Sequence, residues 1–228
     1  MATEIPPPSK DPETASKLQI LATEHWSLLA TRGLTYTESL GRVNMFLAIL
    51  SGAVIALALV AQADRFGTTF IAVAIFMLAV VLFVGVATVS RLMMLNSDDY
   101  RFVIGMNRLR NAYLELHPEL EPYFITSQYD DLPGALQTLG IATAGAQRLG
   151  SVFHGLQTLP GMLSVIVAAV AGAIGALAAL GFSSPPLGVL LAGGAAFVLA
   201  AALMFNWGRR SVRRFGPLLE PRFPSPKR

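Results

Sequence analysis

Four stretches of this chain carry no charged residue: Val43–Ala63, Thr68–Ser90, Gly161–Phe182 and Leu187–Trp207. Each reaches the ~20 apolar residues an α-helix needs to cross the hydrocarbon core of a bilayer. A backbone in lipid must satisfy its own hydrogen bonds, and a segment of this length does so as a helix. Only Asp64–Gly67 separates the first two runs and only Ser183–Pro186 the last two, so each pair predicts a hairpin. Ser184 is the expected cap of the last helix, with Pro185 in its first turn, where no N–H is needed. The charged fraction, 14%, is far below the roughly 25% of soluble domains. The fold class expected is an all-α integral membrane protein with two transmembrane hairpins, four spans in all.

Charge placement sets the orientation. Of the seventeen Lys and Arg, all but Arg65 lie before Val43, between Ser90 and Gly161, or after Trp207. An even number of spans puts those three regions on one side, which the positive-inside rule makes cytoplasmic. Arg209, Arg210, Arg213 and Arg214 then act with Trp207 as a membrane anchor beside anionic lipid headgroups. Nucleic-acid binding would need a basic face on a folded module, and none is expected here. The opening MATEIPPPSKDPET lacks the basic and apolar regions of a cleaved leader, and residues 1–14 are expected to be disordered. So is PLLEPRFPSPKR, the end of the basic, Pro-rich cytoplasmic tail 208–228.

Residues 15–117 read as one long helical hairpin whose first two helices extend beyond the spans at 43–63 and 68–90. Ala22, Trp26, Leu29, Gly33, Tyr36, Leu40, Val43, Leu47 and Leu50 alternate steps of four and three, a coiled-coil seam. Leu92, Leu95, Asp99, Phe102, Met106, Leu109, Tyr113 and Leu116 do the same, and Pro118 ends that helix. With the turn near Arg65–Phe66, residue i faces roughly residue 131 minus i. That register sets Leu29 against Phe102, Tyr36 against Leu95, Trp26 near Met106, Glu24 near Arg108 and Arg32 against Asp99. The result is an antiparallel cytoplasmic stalk, its seam formed within one subunit or between subunits.

Residues 118–160 read as a loop followed by an amphipathic helix. Asp130 and Asp131 before Pro133 mark its start, Leu132, Leu136, Leu139, Ala146, Phe153 and Leu156 line one face, and Pro160 kinks into the third span. Little in the sequence suggests chemistry. Cysteine is absent, and His25, His117 and His154 have no partner at metal-ligand spacing. Asp98–Asp99 and Asp130–Asp131 are sequence neighbours, suited to capping and salt bridges. No nucleotide-binding or hydrolase motif occurs, so neither an enzyme, a cofactor nor a metal is expected.

In the second hairpin, 161–207, small residues recur every fourth position: Ala168, Gly172 and Ala176; Ala171, Gly175 and Ala179; Gly188, Ala192, Ala196 and Ala200. Such ladders let helix backbones approach closely in lipid. Gly172, Gly175, Ala192 and Ala196 are the expected packing positions, either within this hairpin or between subunits.

The segment LATEHWSLLATRGLTYTESLGRVNMFLAILSGAVIALALVAQA, with GMNRLRNAYLELHPELEPYF, resembles a family of small bacterial four-span membrane proteins with no assigned activity. The resemblance implies the bacterial inner membrane and carries over no functional residue. The two-plus-two layout is similar in topology alone to bestrophin-type and connexin-type channels. Two functions fit. One is a homo-oligomer forming a pore or channel, to which the spans offer Asn44, Ser51, Thr88 and Ser164 as polar lining. The other is a non-conducting scaffold whose stalk binds a cytoplasmic protein.

Overall fold

The structure, a computed structural model, describes residues 12–140, 158–215 and 220–226, with 211–215 described by backbone only. The expectations for residues 1–11, for Ala146, Phe153, His154 and Leu156, and for the side chains of Arg213 and Arg214 lie outside the described residues. Helix α1 runs Pro12–Asp64 and α2 Thr68–Leu116; a 3-10 turn covers Pro118–Tyr123. Helix α3 is Leu132–Thr138, α4 Leu159–Gly181 and α5 Pro186–Phe215. No strand occurs among the described residues. Helices α1, α2, α4 and α5 are long and apolar enough to cross a membrane, as the four uncharged runs require.

Local chemistry explains the element ends. Asp64 closes α1 and opens α2: its Oδ2 accepts from Phe70 N at 2.7 Å, its carbonyl from Gly67 N at 2.9 Å. A carboxylate there also meets the positive end of the α2 dipole. Arg65 and Phe66 take left-handed backbone angles (φ 46 and 63) to make the reversal. Pro160 begins α4 and does not kink it: Thr158 is the cap, accepting from Gly161 N, and a proline in the first turn forfeits no helical bond. In α5 the first helical residue is Pro186, and the Pro185 carbonyl accepts from Val189 N, so the start lies one residue later than Ser184–Pro185 implied.

The described residues form two compact units. Unit one holds 12–35, 98–140 and 220–226; unit two holds 36–97 and 158–215. Unit two contains the apolar runs. Phe46, fully buried, packs with Val81, Val89, Leu92, Leu163 and Val167. Gly85 makes this possible, because a Cβ there would lie 2.7 Å from Val167 and 2.9 Å from Phe46. In α4 and α5 the small residues meet within the chain. A Cβ on Gly172 would come 3.1 Å from the Gly193 carbonyl, and one on Gly175 would come 2.7 Å from the Ala196 Cβ and 3.0 Å from the Ala192 carbonyl.

Unit one is built around Val103, Ile104, Met106 and Ala135, with Leu28, Tyr100 and Leu139 against them. Leu28 fits because Gly105 has no side chain; a Cβ there would stand 3.0 Å from the leucine Cδ1. The α1 face that meets α2 within the chain is not the expected seam. Trp26, Leu29 and Tyr36 are 71%, 44% and 63% exposed. Among the residues of α1 that meet α2 in this unit are His25, Leu28 and Arg32. One residue of displacement turns a helix about 100°. An apolar count favours Trp26 and Tyr36, whereas this contact uses an arginine, a histidine and a leucine opposite a glycine. On α2, Leu95 and Met106 are buried.

Overpacking a close helix contact costs about 1–3 kcal/mol. Gly175→Leu is therefore expected to lower the melting temperature in detergent by several degrees. Gly194→Leu, at a position with nothing within 4 Å, should melt like the parent. Equal melting of the two variants would show that the Gly175 approach carries no weight.

Candidate functional site

The densest polar construction lies in unit one. Asn107, fully buried, donates from Nδ2 to the Tyr129 carbonyl at 2.7 Å, while its Oδ1 accepts from Arg110 at 2.7 Å and Thr138 at 2.9 Å. Ser127 Oγ accepts from Tyr129 N. Gly134 lets α3 start against Tyr129, since a Cβ there would overlap the Tyr129 carbonyl. The loop before α3 is thereby pinned at both ends, and it presents two adjacent carboxylates.

Asp131 caps α3, accepting from Gly134 N at 2.9 Å, as the sequence suggests. Both acids also hold the C-terminal segment. Asp130 accepts from Arg222 N at 2.9 Å and Phe223 N at 2.8 Å, and its own N–H donates to the Phe223 carbonyl at 3.1 Å. Asp131 accepts from Ser225 N at 2.8 Å and from Ser225 Oγ at 2.6 Å. Arg108 closes the arrangement, reaching Asp130 Oδ2 at 2.7 Å and the Glu220 carbonyl at 3.1 Å. The expected partner of Arg108 was Glu24; the structure gives it Asp130, whose side chain is fully buried. The expected disorder of the tail is likewise corrected for 220–226. Those residues run Glu220-Pro-Arg-Phe-Pro-Ser-Pro226, and the N–H groups of Arg222, Phe223 and Ser225 all go to the two acids.

Burial pushes both carboxyls up, but the donors outweigh it. The Arg222 N–H, the Arg108 guanidinium and the Phe223 N–H hold Asp130 below its usual value. The Ser225 hydroxyl with the Gly134 and Ser225 N–H groups does the same for Asp131. Charge-assisted bonds of this kind are the stronger class.

The remaining predicted residues fall in separate places. Arg32 Nε lies 2.5 Å from Asp99 Oδ1 and its Nη2 3.2 Å from Oδ2, the pairing that the turn register predicts. Phe102 is half-buried. In unit two, Glu38 takes two arginines: Arg42 at 2.8 Å, and Arg91 in a fork at 3.0 and 3.1 Å. The Glu38–Arg42 spacing is visible in sequence; Arg91, 53 positions away, has no sequence signal. Arg209 sits 5.6 Å over the Phe205 ring, and Trp207 and Arg210 are exposed. Among the described residues no three His, Asp or Glu gather as a metal site requires.

Asp130→Ala removes the carboxylate that pairs with Arg108 and holds two tail N–H groups. Breaking a buried pair from one side costs about 3–5 kcal/mol, and Arg108, still 29% exposed, places this case at the low end. Trypsin should then cut at Arg222 far faster than in the parent. Unchanged cleavage would mean that the clasp does not hold the tail. The pH dependence follows from two lowered carboxyl pKa values. The stabilisation is complete above the unfolded carboxylate value of about 3.9 and is lost as pH falls through the lower folded values. Amide-exchange protection of Phe223 relative to an unstructured amide should accordingly hold from neutral pH to about 4 and collapse only below that.

No family model, no curated protein and no solved structure matches this chain.

Proposed function

We propose that this protein is a homo-oligomer in the bacterial inner membrane, with both termini cytoplasmic, and that its α1 helices line a pore. In this reading α1 and α2 form an antiparallel hairpin whose cytoplasmic ends make the stalk, and α4 and α5 form the second hairpin. The observation that carries the pore reading is the exposed face of α1. Asn44, Ser51 and Gln62 are all exposed, and their side chains have no hydrogen-bond partner among the described residues. With Ala48, Ile55 and Ala58 they recur in steps of four and three, so they share one stripe. Only 11% of the apolar window of α1 is buried in the chain. Polar side chains in a span face a bundle interior or water more often than lipid. Assembly around this stripe supplies both, while Thr88 and Ser164 satisfy their hydroxyls on their own helices at Val84 and Pro160.

A second reading is a non-conducting scaffold that binds a cytoplasmic partner through the stalk. Trp26 and Leu34, 71% and 72% exposed outside the apolar run, favour it.

Cysteine scanning separates the two in a chain that has no cysteine. In reconstituted protein, Ser51→Cys should react with a charged, membrane-impermeant thiol reagent. Ile49→Cys, exposed but about 160° around the helix, should not. Conductance in planar bilayers should fall on labelling. A Ser51→Cys as silent as Ile49→Cys, in a protein that conducts nothing, overturns the pore and leaves the scaffold.

A further inference from the structure

We infer that Arg42, Arg91, Arg209 and Arg210 form a binding site for a phosphate group. The inference rests on the membrane reading above and names a ligand that it does not. Arg42 directly precedes the first uncharged run, Arg91 directly follows the second, and Arg209 and Arg210 follow the fourth. Within unit two, the elements that carry these positions approach one another. Glu38 holds Arg42 and Arg91 on one carboxylate. Helix α5 lays Gly208 against Met93, two residues beyond Arg91; a Cβ on that glycine would stand 3.4 Å from the methionine methyl. The pair Arg209–Arg210 thus begins beside the stretch of α2 that carries Arg91.

Two guanidiniums share the Glu38 carboxylate here, and Arg209 and Arg210 follow the glycine that lies against Met93. Glu38 spends its oxygens on Arg42 Nε and on the Nε and Nη2 of Arg91. The two terminal nitrogens of Arg42 have no acceptor among the described residues. They form the planar fork that suits a phosphate, and the glutamate fixes its direction. The side chains of Arg42 and Arg91 are 40% and 37% exposed, so the site is open to a ligand. Placement at the ends of uncharged runs puts it at headgroup depth, where anionic lipid attracts Lys and Arg by about 1 kcal/mol each. The same chemistry would accept a free phosphate, and the experiment separates the sources.

Purified full-length protein in a zwitterionic detergent is titrated with phosphatidylglycerol, phosphatidylcholine or inorganic phosphate, and binding is read by native mass spectrometry. A lipid site predicts phosphatidylglycerol adducts that form at roughly tenfold lower concentration than phosphatidylcholine adducts and survive millimolar inorganic phosphate. A free-phosphate site predicts displacement by inorganic phosphate and direct phosphate adducts. Arg42→Gln should weaken whichever binding occurs about fivefold, the effect of one basic residue at a surface. It leaves the Arg91–Glu38 fork intact, so the fold should persist, and Arg42→Gln with Arg209→Gln should weaken binding further. Arg101→Gln, outside the cluster, should change nothing. Equal adducts of both lipids without phosphate binding, or a double variant that binds like the parent, overturns the site. Alkaline carbonate extraction tests the parent reading separately. Protein that stays with membranes yet shows no preference fails only the phosphate site, whereas protein released by carbonate fails the membrane reading itself.

Discussion

An uncharged run of more than twenty residues allows its backbone one solution in hydrocarbon, a helix whose N–H and C=O groups are all satisfied internally. The other features of this chain follow from that constraint. Charges are driven to the run ends, where Asp64 has to serve two helices at once and Glu38 has to serve two arginines. Apolar contrast cannot hold such helices together, because lipid tails are as apolar as leucine. Shape takes over, and the close contacts of unit two occur where a glycine faces a bulky or backbone neighbour: Gly85 under Phe46 and Val167, Gly172 under Gly193 and Phe197.

Outside the uncharged runs the reasoning reverses. Water competes for every polar group there, so direction comes from buried or half-buried polar pairs that are costly to break. Asn107 is the clearest case. It is wholly buried and ties Tyr129, Arg110 and Thr138 together, and so determines where Asp130 stands. Arg32–Asp99 does similar work for α1 against α2. Two glycines of this unit serve the same end, Gly105 admitting Leu28 and Gly134 admitting the Tyr129 backbone.

What the sequence revealed and what it hid divide along the same line. The four apolar helices, the stop before Pro118 and the Asp131 cap are local signals, written in composition, in proline geometry and in a side chain reaching three residues ahead. Arg32 opposite Asp99 was also legible, because a tight turn converts position into register. The face of α1 was not. Two stripes one residue apart both look periodic, and only the partner's surface, a glycine at 105 and an acid at 99, decides between them. Arg91 on Glu38 and the tail on Asp130 were invisible for a related reason. Contacts across 53 and 92 positions leave no periodic trace in a single sequence.

The tail nevertheless carries its own logic, readable once its partner is known. Carboxylates accept hydrogen bonds and donate none, so a segment lying on Asp130 and Asp131 is recognised by its N–H groups. Between Pro221 and Pro226 only Arg222, Phe223 and Ser225 have an N–H, and each of the three donates to one of these acids. The prolines occupy the positions where no donor is wanted. Sliding the segment by one residue in either direction would set prolines where the carboxylate oxygens now accept an N–H. Ser225 adds its hydroxyl to Asp131, which further fixes the register. Proline also limits the freedom of the unbound chain, so less entropy is lost when the tail is held. Composition that reads as disorder in isolation is, against this pair of acids, a pattern of donors with one register.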